Sequence, residues 1–274
     1  MAYAPTLTAD LDANPAPRVE VQFPTLDPSC QTINIERTQE GRTYQVRGGI
    51  SKFAVGGAAV LDAEAGFGLP LTYRAEMFDS SGVSLGYTDS ATVTLAVTDT
   101  WIHQPLSPAL AVKARVFVAT SNSVQRVTPG QFVIPEGASV GMWIGGQRQG
   151  IQGLQFQFRV DPSDADTFQN MFGSYSSDYP GVVCVRTPPP VRLPRTLFLS
   201  PSQSGPVETA QANFQYITYV MGGNESRPPS NAIIIPLLRR EDLDAAYATR
   251  GAKNAVYPSR LAQDTDYSKA GLAG

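Results

Sequence analysis

The chain has one histidine, His103, and two cysteines, Cys30 and Cys184, in 274 residues. Proton transfer and nucleophilic attack at neutral pH lean on His, Cys or clustered carboxylates, and the first two are nearly missing. No phosphate loop, metal cluster or nucleophile elbow takes their place. The cysteines lie 154 positions apart, too few and too distant for a disulfide framework, and read as small buried hydrophobes. Charged residues make up only 16% and sum to -3, which argues against a nucleic-acid binder built on a basic surface. No apolar run approaches the ~20 residues of a membrane helix, so no membrane insertion is expected. Met1–Pro5 has neither the basic start nor the apolar run of a secretion signal. The expectation is a chain folded in a cytoplasm that binds something, not an enzyme, and that needs no cofactor.

What the chain has in quantity is turn-forming residues, with Gly 24 and Pro 22, suited to many short strands and not to a helical protein. Residues 1–17 are Pro/Ala/Asp-rich and aperiodic, and read as an extended N-terminal arm. From Arg18 the pattern alternates: Val19, Val21 and Phe23 are separated by Glu20 and Gln22, the mark of a half-buried strand. Further strands are expected at 32–37, 43–47, 71–78 and 92–97, with Glu40-Gly41 and Asp79–Gly82 as turns. About seven strands with turn signals every ~8–12 residues predict a β-sandwich over 18–105.

Trp101–Pro108, with two prolines and an aromatic, reads as a stiff connection. A second β-sandwich-like domain is expected over 106–235. Its clearest strand is Leu154–Val160, and Asp161–Phe172 predicts a short helix capped by Asp or Ser, with Phe168, Met171 and Phe172 on one face. Residues 222–231 read as a break. The last segment, 236–274, is partly helical at 238–247, and its tyrosines at 247, 257 and 267 recur ten apart. Such spacing suggests a degenerate short repeat and not a third core. Residues 1–105 carry 6 basic and 12 acidic side chains, 106–235 carry 9 and 7, and the remainder 6 and 5. That asymmetry weakly favours head-to-tail packing between copies.

Several side chains invite a chemical reading and a plainer one. His103 beside Trp101 has no nucleophile motif or orienting acid near it, so both are read as packing at the domain junction. Asp161, Asp164 and Asp166 lack the glycine turn and closing glutamate of a calcium loop and read as helix caps. Gly145–Gly150 lacks the Lys-Ser/Thr end of a phosphate loop and reads as a hairpin tip. Trp143, Tyr175, Tyr179 and Phe172 have the chemistry of an aromatic sugar platform, although core or interface packing is the commoner fate of such rings. Tyr247, Tyr257 and Tyr267 are expected at a subunit interface, where ring and hydroxyl both find partners.

Three stretches carry a resemblance. The first is Asp62, Glu64, Ala65, Gly68, Pro70, Leu71, Tyr73, Arg74 and Ala75. The second is the Trp101–Leu110 junction with Pro105, Leu106 and Pro108. The third is the short helix at 164–172 followed by the Val-Val-Cys-Val-Arg-Thr-Pro strand at 182–188 and a later Pro-Pro break. With the Tyr- and Ala-rich end, the chain resembles minor tail proteins of long non-contractile-tailed bacteriophages of actinobacteria. The first domain resembles fibronectin type III and immunoglobulin-like modules, with Tyr73 on a well-alternated strand before a turn. The resemblance implies a distal-tail subunit in a virion, assembled in the host cytoplasm. It would form a homo-oligomeric ring between the tail tube and the tip or hub proteins, alongside the tape measure. Contact with a host cell-wall glycan is the alternative role.

Overall fold

In the computed structural model, which describes residues 3–122, 124–173, 179–202, 205–211, 213 and 215–273, the chain is mainly β. Nine strands come first: β1 (Thr6–Asp10), β2 (Arg18–Phe23), β3 (Thr32–Gln39), β4 (Arg42–Gln45), β5 (Lys52–Phe53), β6 (Ala58–Asp62), β7 (Pro70–Phe78), β8 (Ser84–Tyr87) and β9 (Ala91–Thr94). β1, β2 and β6 form one sheet, and β3 and β7 the centre of another, with β4, β5, β8 and β9 around them. One core joins the two sheets. Val19, Val21 and Phe23 of β2 meet Ile33 and Ile35 of β3 and Leu71, Tyr73, Ala75 and Met77 of β7, because a period of two sends alternate side chains to one face.

Strand β1 lies inside the segment read as an arm without periodicity. It pairs with β2 from Thr6↔Gln22 to Asp10↔Arg18, and Tyr3, Leu7 and Ala9 pack on the core. Its Leu7/Ala9 alternation spans only five residues, and Pro, Ala and Asp on either side mask it.

Eleven more strands follow: β10 (Thr100–Gln104), β11 (Ser107–Val116), β12 (Gln125–Arg126), β13 (Gly130–Val133), β14 (Met142–Gly145), β15 (Ile151–Gln152), β16 (Leu154–Val160), β17 (Val183–Arg186), β18 (Thr196–Pro201), β19 (Val207–Gln211) and β20 (Tyr216–Glu225). The order β16-β11-β10-β17-β18-β20 closes when β16 pairs with β20 from Leu154↔Gly223 to Val160↔Ile217, and β19 is appended to β20. This unit is therefore a closed six-stranded antiparallel barrel and not a second pair of facing sheets. Closure satisfies the backbone groups that open sheet edges would leave exposed.

Leu154, Phe156, Phe158 and Val160 fill the barrel, with Tyr219 and Met221 opposite them. Helix α1 (Ala119–Asn122) follows β11. A 3-10 turn, Pro162–Asp164, leads into α2 (Ala165–Asn170), which buries Phe168 in the same core with Met171 just beyond its end. The helix stands where its pattern predicts it, but the side chains of Asp161 and Asp164 make no capping bond. Packing of Phe168 and Met171 against the barrel holds it instead.

Trp101–Pro108 is likewise not a connection. It is β10, the turn and the start of β11, with β10 paired to β17 through Trp101↔Arg186 and His103↔Cys184. Residues 222–225, read as part of a break, continue β20. The chain ends in α3 (Arg240–Ala246), α4 (Arg250–Val256), α5 (Arg260–Asp264) and a 3-10 turn at Tyr267–Lys269. These lie against the first unit: Arg260 stacks over Phe53 at 5.1 Å and Arg18 over Tyr267 at 5.7 Å. The segment whose tyrosines are expected at a subunit interface is thus docked on its own chain.

Candidate functional site

The outer faces of β10, β17 and β18 are turned not to solvent but to the first unit. On β10, Ile102 points into the barrel core while Trp101 packs on the other core and His103 is fully buried between them. On β17, Val183 and Val185 point inward and Cys184 and Arg186 outward. The junction is consequently lined with polar side chains buried from solvent, and each needs a partner.

Two ion pairs dominate it. Arg37 Nη1 donates to Asp62 Oδ2, which also accepts from the Tyr73 hydroxyl at 2.9 Å. Asp62 Oδ1 takes the Glu64 backbone N–H at 2.9 Å. Burial pushes the Tyr73 hydroxyl far above its usual range, and the Asp62 charge adds to the effect. Arg47 Nε donates to Glu64 Oε1 at 2.5 Å, and its two remaining nitrogens reach the Pro229, Ser230 and Ile233 carbonyls and Asn231 Oδ1. Burial raises the Glu64 carboxyl, opposed by Arg47. So Arg47 ties the chain leaving β20 to the first unit.

Arg186 crosses the junction, donating to Pro17 O at 2.7 Å with its guanidinium 4.6 Å over the Phe67 ring. Burial pulls it down to about 10, still charged at neutral pH. Thr196 Oγ1 donates to Glu64 O at 2.9 Å and accepts from Gln39 Nε2 at 3.1 Å. The Asp62–Ala75 motif thus has a physical basis: Asp62, Glu64 and Tyr73 hold two arginines from elsewhere in the first unit. Gly68, at φ +69°, passes so close to Pro189 that a Cβ would stand 2.8 Å from its Cδ.

The structure brings Trp101 and His103 together at this junction, inside the chain. Neither His103 nitrogen has a hydrogen-bond partner among the described residues. Burial holds its imidazole well below the usual 6.5, and the Arg186 and Arg47 charges push the same way. Native His103 is therefore neutral where the unfolded chain binds a proton, so stability is present above about pH 6.5 and falls as pH drops below it, by up to ~1.4 kcal/mol per pH unit. Urea midpoints for wild type and His103→Met at pH 7.5 and 5.5 should show the substitution removing this loss. Equal pH dependence in both proteins would contradict a neutral buried imidazole.

Cys30 and Cys184 are buried and free. Among the described residues no group of three His, Cys, Asp or Glu is placed to hold a metal. Tyr175 lies outside the described residues, and Tyr179 is half-buried between α2 and β17. Trp143 lies on the β13–β14 hairpin.

That hairpin is the part of the surface that sequence reading undervalued. Phe132 faces Trp143 across it, and Val133 faces Met142. Successive residues of a strand point to opposite faces, so Phe132 and Trp143 share one face, and Met142 and Ile144 the other. All four are more than half exposed, as are Ile134 and Val140. Trp143 also lies over Gly130 and Gly145, where an added Cβ would sit 2.5 and 2.4 Å from its ring. Alternation alone is read as one buried face and one wet face. Here both faces are apolar and neither is covered.

In the tail, Tyr247 and Tyr257 close α3 and α4 and share a hydroxyl hydrogen bond of 3.1 Å, and Tyr257 donates to Asp266 at 2.6 Å. Tyr267 opens the final turn. Arg240, Arg250 and Arg260 each begin a helix, and Thr249 and Ser259 cap theirs through Ala252 and Ala262 N–H at 3.1 Å. The ten-residue period therefore extends to arginines and caps, a signal present in the sequence beside the tyrosines.

Taken together, the molecule is a mainly antiparallel β protein with a buried polar junction, a docked helical repeat and an uncovered apolar hairpin. No protein-family model, curated protein or solved structure matches the chain.

Proposed function

We propose that this chain is a structural subunit of a bacteriophage tail tip. Copies would form a ring or collar that joins the tail tube to tip proteins, with the first unit an immunoglobulin- or fibronectin-like sandwich. The observation that carries the reading is the hairpin. A two-stranded ribbon is marginal by itself in water, and contiguous exposed apolar surface marks an interaction site. A ribbon apolar on both faces suits insertion between neighbouring subunits. In a ring, one face of a subunit meets a different face of the next, which agrees with a projecting hairpin on one unit and an acidic excess on the other.

Sedimentation of wild type against Phe132→Ser/Trp143→Ser tests this. Wild type should form closed oligomers with a definite copy number by negative-stain imaging. The double variant should remain a 29.4 kDa monomer while its unfolding free energy stays within about 1 kcal/mol of wild type. A wild-type monomer at high micromolar concentration, or a variant that assembles equally well, would overturn the ring. The exposed Phe132–Trp143 pair also fits the second reading, a receptor- or sugar-binding module. In that case the double variant would lose retention on cell-wall polysaccharide with no change in oligomeric state.

A further inference from the structure

Between the tail repeat and the outer face of the β1–β2–β6 sheet lies a cavity of about 810 Å³. Its walls hold eight of the chain's 21 Lys and Arg residues but one of its 24 carboxylates, Asp264. Part of this charge is already engaged: Arg47 with Glu64 at 2.5 Å, Lys253 with Asp244 at 2.8 Å and Arg260 with Asp264 at 3.6 Å. Counting every ion pair made by the eight, six carboxylates face them, which leaves two positive charges in excess.

Lys52 and Arg250 have no ion pair or side-chain hydrogen bond among the described residues, and they come from opposite walls, β5 and α4. Lys52 is half-buried. Burial holds its ammonium below the usual value, with Asp264 opposing and Arg260 reinforcing the effect. Partial burial disfavours the charged form of a cation, and an anion reaching it offsets that cost. The rest of the wall mixes the polar side chains of Asn254, Ser259 and Gln263 with an apolar stretch of Val60, Leu238, Leu243 and the Tyr257 ring. The volume falls in the ~300–1,000 Å³ range of organic-ligand sites, which combine apolar lining with a few convergent polar groups.

We propose that this cavity binds a phosphate ester, with the dianionic group held between Lys52 and Arg250 and an apolar or aromatic body against Leu238, Leu243 and Tyr257. A phosphate monoester carries close to two negative charges on one group and offers several acceptor oxygens, which matches the excess of two and the fork geometry of arginine. A bare phosphate would leave the apolar wall wet, and a single carboxylate would leave one cation unmatched. Because it bridges the walls, the ligand also staples the tail repeat to the first unit. This site is independent of the assembly reading, since it lies on the opposite unit from the hairpin.

Isothermal titration of the full chain with phenyl phosphate, inorganic phosphate and phthalate tests it. Phenyl phosphate should bind saturably, about tenfold more tightly than inorganic phosphate, and more tightly than phthalate, which carries two carboxylates on the same ring. Loss of one charge-assisted contact in Lys52→Gln or Arg250→Gln should weaken binding by about tenfold or more. Lys113→Gln, which removes an exposed cation paired with Asp99 on the barrel side, should bind as wild type. Absence of saturable binding up to millimolar phenyl phosphate would overturn the site. Equal weakening by Lys113→Gln, or none by Lys52→Gln and Arg250→Gln, would overturn the assignment of its cations. Equal affinity for phthalate would overturn the phosphate class, and equal affinity for inorganic phosphate would overturn the apolar body.

Discussion

Replacing Arg37 with leucine is expected to cost about 3–5 kcal/mol of folding free energy, because it strands a buried carboxylate. The residue is 1% exposed, and Asp62 beside it is 2% exposed. Without the guanidinium, Asp62 keeps only the Tyr73 hydroxyl and the Glu64 N–H. Against a domain stability of about 5–15 kcal/mol, this loss is enough to leave a large unfolded fraction near physiological temperature. Adding Asp62→Asn to Arg37→Leu should recover part of the loss, since the group left behind is then neutral. Urea unfolding of the single and double variants measures both numbers. A single-variant cost under about 1 kcal/mol, or a double variant worse than the single, would show that the pair does not hold the junction.

Phe158→Ala should be as damaging from the other side, at about 3–5 kcal/mol, by emptying the barrel centre. Phe158 is fully buried and touches three other rings, with centroids 4.8 Å from Phe156, 5.2 Å from Phe168 and 5.6 Å from Tyr219. The strands around it are closed into a ring, so the barrel has little freedom to collapse into the void, which keeps the cost at the upper end. Because Arg186, Thr196 and Gln39 seal the junction, Phe158→Ala and Arg37→Leu should lower one common calorimetric transition. Two transitions, each moved by only one of the substitutions, would show that the units unfold independently.

Local periodicity made much of this architecture legible. Strands at Arg18–Phe23, Thr32–Gln39, Pro70–Phe78 and Leu154–Val160 stand where alternation predicts them, and the mainly β character follows from them. The helix containing Phe168 is also where its one-sided pattern puts it. Of the residues singled out, Trp101 packs on the first core and His103 is buried between the two units. The tyrosines at 247 and 257 meet each other.

The partners across long sequence separations were decided only by the tertiary structure. Whether Leu154–Val160 stays an edge or closes on Tyr216–Glu225 depends on a pairing no local pattern encodes. The same holds for Thr6–Asp10, whose five-residue alternation of Leu7 and Ala9 with Thr6, Thr8 and Asp10 becomes a strand only by lying beside Arg18–Phe23. The burial of Arg37, Arg47 and Arg186 depends on Asp62, Glu64 and Pro17 arriving from other elements. The hairpin does not turn at Gly145–Gly150 as expected: its strands are Gly130–Val133 and Met142–Gly145, their apolar residues are consecutive, and the fold covers neither face. Sequence determines which side chains share a face, since that follows from backbone geometry residue by residue. What each face meets is settled by the free energy of burying it, summed over the whole chain.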